Sequence, residues 1–504
     1  MLALSDPAQI APCPSPFNLA AYVLRHADRL AQKTALSIVS GDSAGDWSYA
    51  RLEAAVRGTG TGLLNAGLAP GDMVLLRLGN TVEFPVAYLG AISAGLVPVP
   101  TSPQLTGPEV ARILAELWPA AVLRDPAIAS APHPHEITRE ELCAMQALPP
   151  CGYAMGNPER LAYVVYTSGT SGSPRAVAHA HRAIWARRMM VEGWYGLTPE
   201  DRLLHAGAFN WTFTLGTGLM DPWANGATAL IPAPGTTPEL LPTLLKHHRA
   251  TLFAAAPGVY RKMLAQGPLD LPDLRHGLAA GEKLPAHLQQ AWETATGKPL
   301  YEAYGMSECS TFISAAPGAP AEDGTLGRPQ PGRRVAIVGP EGVVERGAEG
   351  TIAVHRSDPG LMLGYLNAPG ETGARFQGEW FMTGDLGAMT GTGAIRYAGR
   401  SDDMMNAGGY RVSPIEVETA LAGHPGITQA GVAAVEVKPG TFIIAAFYTG
   451  PEELNADDLA AFASARLARY KQPRAYIRLD TLPAGPNGKL LRRALPACFK
   501  GTSA

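Results

Sequence analysis

Cysteine is scarce and never paired in this 504-residue sequence. Cys13, Cys143, Cys151, Cys309 and Cys498 stand far apart or outside any CxxC pattern. That excludes a disulfide framework and a cysteine-based zinc site, and it reads as reduced thiols. An excess of one charge is missing too. The 41 Lys and Arg nearly balance the 44 Asp and Glu, leaving a formal charge of −3 and no long cationic run. No nucleic-acid or anionic-membrane partner is expected, so any anionic ligand needs a local site. Long apolar runs are absent as well. The most apolar segment, VAYLGAISAGLVPVP, is broken by Gly95, Pro98 and Pro100 and is too short to span a bilayer. The opening residues lack the cationic start and apolar core of a secretory signal. These absences together make a cytoplasmic location the expectation.

What is present is enough hydrophobic residue, 46%, for a globular protein, and enough length for more than one core. Helical periodicity is expected over about 19–31 and 49–66. MVLLRL, Met73–Leu78, reads as a buried strand, followed by a helix at 83–94 and a strand at 96–99. Strand, helix and strand at this spacing form a βαβ unit. Further strands are expected at 161–166, 227–231, 250–257 and 276–284, with a helix near 180–191 after the first of these. From about 325 to 398 short strands alternate with Gly-rich turns, which predicts a β-rich subdomain. Past 400, short helices and strands alternate again. The expected class is α/β, α+β in the C-terminal part. The expected division is a large domain over 1–400 and a small mobile domain over 401–504.

The unusual stretch is YTSGTSGSPR, Tyr166–Arg175, after the strand LAYVVY. Glycines let backbone N–H groups approach a phosphate, and the hydroxyls add donors. No Gly-Lys-Ser/Thr closes the loop, so it is not a Walker motif; a flexible turn is the bland alternative. YEAYGMSEC, Tyr301–Cys309, carries an aromatic, a Gly and a carboxylate that suits Mg²⁺, an ion that takes few protein carboxylates besides phosphate oxygens. EWFMTGDLG places Asp385 in a tight turn, suited to ribose hydroxyls or simply to an Asx-turn. YAGRSDDMMNAGGYRVSPIEVE, Tyr397–Glu418, lies at the expected domain boundary, and LPAGPNGKLLRR puts Lys489 on a turn after Gly488.

These motifs, in this order, resemble the adenylate-forming superfamily of acyl-CoA synthetases, aryl-CoA ligases, luciferases and peptide-synthetase adenylation domains. SGTSGSPR, DPWANGATALI and NAGGYRVSPIEVE look most like medium-chain acyl-CoA synthetases; NTVEFPVAYLGAISAGLVPVP and LFAAAPGVYRKML also look like benzoate-CoA ligases. The resemblance implies an ATP-dependent acid–CoA ligase that forms an acyl-AMP and then a CoA thioester, with ATP, Mg²⁺ and CoA as its small molecules. By that similarity Thr167, Ser168, Gly169, Thr170, Ser171 and Gly172 wrap the outer phosphates of ATP, and Glu308 holds Mg²⁺. Gly281, Glu282 and Lys283 flank the adenine, Tyr304 and Gly305 lie at the base, Asp385 binds the ribose, and Arg400 meets ribose or phosphate. Lys489 bridges the carboxylate and ATP, so Lys489, Glu308 and Thr167 are the expected catalytic group.

Asp402 matches the family hinge, and Gly408, Gly409 and Tyr410 would line the CoA tunnel. Phe209, Asn210, Trp211, Ala280 and Gly305 are the expected acid pocket. Its aromatics point to a compact aliphatic, alicyclic or aromatic monocarboxylic acid, although Phe and Trp also serve simply as core. The chain departs from the family at Arg175-Ala176, where Lys-Gly is common. His179 and His181 lack a third metal ligand, and Cys309 lacks a basic partner. A homodimer is the candidate assembly. A carrier-protein-loading enzyme and a non-catalytic nucleotide-binding homologue are the rival readings.

Overall fold

The computed structural model describes residues 1–7, 11–41, 43–167, 175–401, 403–407, 410–438, 441–467, 469–485 and 488–499. Its largest sheet has nine strands among these residues. The parallel middle runs, side by side, through Leu300–Met306, His276–Ala280, Leu252–Ala255, Arg202–Ala206, Thr228–Pro232 and Thr34–Ser40. Antiparallel strands close both sides: Ser310–Ser314 and then Arg328–Pro329 on one, Ser43–Ser48 on the other. The middle strands Leu252–Ala255 and His276–Ala280 are buried throughout, as continuous apolar runs covered on both faces should be. The crossover helix between them, Pro257–Leu264, is anchored by Tyr260, whose hydroxyl donates to the carbonyl of Phe253 and stands 3.0 Å from that of Leu278.

A second parallel sheet orders Val97–Pro100, Met73–Arg77, Ala121–Arg124 and Glu136–Thr138. Here the βαβ expectation holds: the helix Glu83–Ser93 joins the first two in chain order and buries almost every side chain. The helix Tyr49–Asn65 starts where Ser48 accepts from the Arg51 N–H, and its Gly60 lets Glu83–Ser93 pack closely. The helix expected over 19–31 is shorter. Only Leu19–Val23 is helical, and the apolar spacing continues through turns that still bury Ala27.

One strand lies outside the sequence expectations. The expected strand Leu161–Thr167 does not stand alone. It pairs antiparallel with Arg175–Ala180, which in turn pairs with Gly364–Tyr365. RAVAHA is buried nearly end to end, so its apolar content serves a strand, and the helix expected near 180–191 follows it as Ala183–Arg187 and the π-helical turn Val191–Tyr195. The β-rich stretch forms an antiparallel sheet through Val335–Gly339, Glu349–His355 and Trp380–Met389. It also recruits Leu4–Ser5, a two-residue strand outside the expected elements. In the C-terminal part, Gln429–Lys438, Thr441–Thr449 and Ala475–Arg478 form a separate sheet, with the helices Pro414–Ala422 and Ala456–Ser464 packed on its apolar cluster. Among the described residues no helix is long and apolar enough to cross a membrane.

Arg333 and Asp358 are both 0% exposed and form an ion pair beside the strand Ser310–Ser314. Arg333 also donates to the carbonyl of Thr311, while its Nε and the Asp358 Oδ2 have no partner. Breaking one side of such a pair strands a buried charge. Arg333→Met is therefore expected to destabilise the protein by about 3–5 kcal/mol. Arg333→Met combined with Asp358→Leu should recover most of that in urea unfolding; equal loss in single and double variants would refute the assignment.

Candidate active site

Ligands of open parallel sheets gather at the carboxyl ends of the strands. Three of the expected segments emerge there: Phe209–Trp211 after Arg202–Ala206, Gly281–Lys283 after His276–Ala280, and Ser307–Glu308 after Leu300–Met306. The last two strands are neighbours, which sets the loop of Glu282 beside that of Glu308.

Glu308 is 7% exposed. Its Oε1 accepts from the Tyr365 hydroxyl at 2.8 Å, and its carbonyl accepts from the Met362 N–H. No cluster of three or more His, Cys, Asp or Glu able to hold a metal occurs among the described residues. A single buried carboxylate, held at one oxygen, fits the way Mg²⁺ is bound when phosphates supply its other ligands. Arg175 lies over the Tyr365 ring at 5.0 Å and pairs with Glu371 through Nε at 2.8 Å. The unusual arginine thus braces the ring that holds Glu308, a geometry suited to a planar guanidinium.

Asp385 lies on Trp380–Met389, whose burial alternates strictly, and it is turned inward. Its Oδ2 accepts from the Tyr304 hydroxyl and its Oδ1 from the Tyr397 hydroxyl at 3.3 Å. Arg400 stands across the ladder from it, Nη1 to Oδ1 at 3.7 Å. Burial, followed by the Asp385 charge, pushes the Tyr304 hydroxyl well above its ordinary pKa, so it stays protonated and keeps donating. The Tyr304 ring is packed edge-on to Phe312.

Lys489 closes a tight turn in which Gly485 donates to its carbonyl at 2.8 Å and Gly488 takes φ +76°. Much of the residue touches solvent, yet protein crowds its surroundings. That crowding lowers its pKa, the charges of Glu282 and Asp385 oppose the shift, and Arg400 reinforces it. Glu282 is raised, first by burial, and is held down by Arg261 and then by Lys489. The structure therefore brings Lys489, Glu282, Asp385 and Arg400 into one electrostatic neighbourhood from well-separated parts of the chain. Lys283 does not join them. Its ammonium pairs with Glu302, which also accepts from the Leu284 N–H at 2.7 Å, so this pair shapes the loop.

The acid-pocket candidates divide. Trp211 lies against Gly281, where a Cβ would meet the indole at 2.6 Å and φ is +99°, so glycine is required twice over. Ala280 ends its buried strand, and Asn210 has a buried Oδ1 without a partner. Phe209 is 2% exposed and packs edge-on to Phe84 in the core. Gly305 sits opposite a bulge in the partner strand, where a Cβ would lie 2.2 Å from the Ser310 carbonyl oxygen. Ser168, Gly169, Thr170, Ser171, Gly172, Asp402, Gly408 and Gly409 lie outside the described residues, as do the side chains of Thr167 and Tyr410. Sequence reasoning missed Tyr365 and Glu371, which carry no motif of their own. It also missed the Arg187–Asp221 ion pair, whose side chains are 8% and 5% exposed.

The family model described as AMP-binding enzyme matches residues 23–366, and that of the AMP-binding enzyme C-terminal domain matches 416–489. The chain is 31% identical to a benzoate–CoA ligase of Thauera aromatica, covering 90% of each chain. It is likewise 31% identical to a 3-hydroxybenzoate–CoA ligase of Aromatoleum sp. (strain CIB), covering 90% of this chain and 92% of that one. The crystal structure of a benzoate CoA ligase from Burkholderia xenovorans LB400 superposes with a TM-score of 0.84 at 30% identity, over 95% of this chain and 100% of that one.

Proposed function

Since this chain belongs to the AMP-binding enzyme family, we propose that the charges meeting at Lys489 activate a small monocarboxylic acid. The enzyme is an AMP-forming acid–CoA ligase of the adenylate-forming superfamily, using ATP and CoA. The observation that carries the reading of the site is Asp385, held by the Tyr304 and Tyr397 hydroxyls with Arg400 across the ladder, whose charges act on Lys489. In the first half-reaction a carboxylate oxygen attacks the α-phosphorus of ATP, and the bond to pyrophosphate breaks. Negative charge builds on the α-phosphate oxygens, and the compact ammonium of Lys489 is placed to meet it. Asp385, with its hydroxyl donors Tyr304 and Tyr397, holds the ribose, and Arg400 sits beside it. Glu308 would hold Mg²⁺, which neutralises phosphate charge when bound. In the second half-reaction the CoA thiol attacks the acyl carbon, the acyl–phosphate bond breaks and AMP leaves.

The acid we assign is compact and apolar around its carboxylate. Trp211 over Gly281 offers a flat wall, and the benzoate- and hydroxybenzoate-activating relatives favour an aromatic ring. The test is a pyrophosphate-release screen over short, branched, alicyclic and aromatic acids, with and without CoA. Aromatic acids should stimulate release, and CoA should yield a thioester. Release from no acid would overturn the ligase reading; release with no thioester from CoA would favour a carrier-protein acceptor.

We further assign the small domain, from 401, to alternate between the half-reactions about Asp402, a two-state motion that withdraws Lys489. Arg492 links this part internally, to Glu418 at 2.7 Å and to Asp403 at 3.4 Å. With Lys489 already among the nucleotide-site charges, Asp402→Pro should impair thioester formation more than pyrophosphate release. Equal loss of both halves, measured separately, would count against the hinge.

A further inference from the structure

The loop of the acid-pocket candidates hangs on a residue from the other sheet. The strand Arg202–Ala206 ends at Ala206, and the chain runs on through Phe209–Trp211 beyond its ladder. Two backbone groups of that loop are taken up by one side chain, that of Asn80. Its Nδ2 donates to the carbonyl of Gly207 at 2.8 Å, and its Oδ1 accepts from the N–H of Phe209 at 2.9 Å. Asn80 lies 127 positions from Gly207, just past the strand Met73–Arg77 of the second parallel sheet.

The fit is specific to an amide. A carbonyl only accepts and an N–H only donates, so the loop needs a donor and an acceptor side by side on one short group. The Asn80 amide supplies both, as the backbone of a neighbouring strand would. Only one orientation of the amide makes the two bonds. Turned over, it would set its oxygen against the Gly207 oxygen and its NH₂ against the Phe209 N–H. A carboxylate at this position would lack the donor, and an apolar side chain would lack both groups.

What this clamp holds is the turn that presents Trp211. Asn80 brackets Ala208, and the carbonyl of Ala208 accepts from the Trp211 N–H at 3.0 Å. Trp211 then lies against Gly281, and its ring stands edge-on to Phe213 at 5.2 Å. A second contact comes from the same segment as Asn80. Phe84, on the helix Glu83–Ser93, packs edge-on to Phe209 with ring centroids 5.7 Å apart. Gly207 leaves no slack on the far side, where a Cβ would lie 2.3 Å from Thr214 Oγ1. Phe84 grips a buried ring, whereas Asn80 fixes the backbone on either side of Ala208 and so the direction in which the turn leaves the strand.

Resting on the acid–CoA ligase reading with Trp211 in the acid pocket, we propose that Asn80 is a positioning residue for the acid. It acts through the turn 208–211, which it holds so that the Trp211 indole stands as a preformed wall. A wall that the incoming acid must order weakens binding by the cost of ordering it, and a preformed wall does not. Asn80 thereby sets how tightly and how selectively the acid is bound. The nucleotide is assigned to other segments, at Glu308, Asp385 and Lys489, so the effect of Asn80 falls on one substrate.

The test measures pyrophosphate release by the full chain in wild type, Asn80→Ala and Asn80→Asp. The probe is benzoate, or the screened acid that wild type prefers. Asn80→Ala removes both hydrogen bonds; Asn80→Asp keeps the acceptor for Phe209 and loses the donor to Gly207. Asn80→Ala is expected to raise the KM for the acid roughly tenfold, with kcat and the KM for ATP each within about twofold of wild type. Discrimination between benzoate and cyclohexanecarboxylate should narrow at the same time, because the flat wall is no longer held. Should Asn80→Ala fail to fold, Asn80→Asp decides by the same split. An unmoved KM for the acid, equal rises for acid and ATP, or failure of both variants to fold overturns the proposal and leaves Asn80 an architectural role alone. If no acid of the screen stimulates release in wild type, the ligase reading falls first, and this one with it. If wild type turns over an acid whose KM the substitution does not change, only this one falls.

Discussion

Lys489→Ala is expected to lower acid-dependent pyrophosphate release by about 10²–10³-fold, the loss seen when a preorganised donor to a developing oxyanion is removed. Thioester formation from supplied acyl-AMP should persist, because that half-reaction expels AMP and builds no charge on an entering carboxylate–phosphate bond. The pair of measurements distinguishes this role from a structural one, which would depress both. Lys489 must be protonated to act, and crowding lowers its pKa. Adenylation should therefore fail with rising pH earlier than an ordinary lysine would predict. Lys489→Arg, whose charge persists at all accessible pH, should abolish that alkaline limb whatever activity it retains. Pyrophosphate release unchanged in Lys489→Ala would remove the assignment.

Glu308→Gln should lower pyrophosphate release by about 10²-fold, since it removes the one buried carboxylate placed to hold a cation while preserving shape. The amide oxygen can still accept from Tyr365, which now donates to Glu308 Oε1 at 2.8 Å. The loss is thus assigned to charge, and it should appear in a Mg²⁺ titration as a raised requirement for the metal. Tyr365→Phe keeps the ring beneath Arg175 and loses only the hydroxyl, so its effect should be much smaller. Near-wild-type release and Mg²⁺ dependence in Glu308→Gln would sink the metal role.

Much of the fold was legible locally. Continuous apolar runs such as MVLLRL and LFAA are strands buried on both faces, and Ser48 starts the helix expected over about 49–66. The strand over 175–180 is not legible in that way. A buried strand and a buried helical turn share the same apolar content, and only pairing with Leu161–Thr167 decides between them. Leu4–Ser5 is similar: two residues carry no periodicity, and the partner is more than three hundred positions away.

For the site, the sequence supplied the chemical types. Glu308, Asp385, Arg400 and Lys489 stand in motifs whose order points to adenylation. By itself the sequence also determined the broad class and the globular character. Tertiary structure alone decided which residues meet. It turned Lys283 toward Glu302, put Phe209 into the core and set Arg175 over Tyr365. The physical reason is that backbone preference and apolar periodicity act over a few residues, whereas charge pairing and desolvation depend on neighbours that only the folded chain supplies.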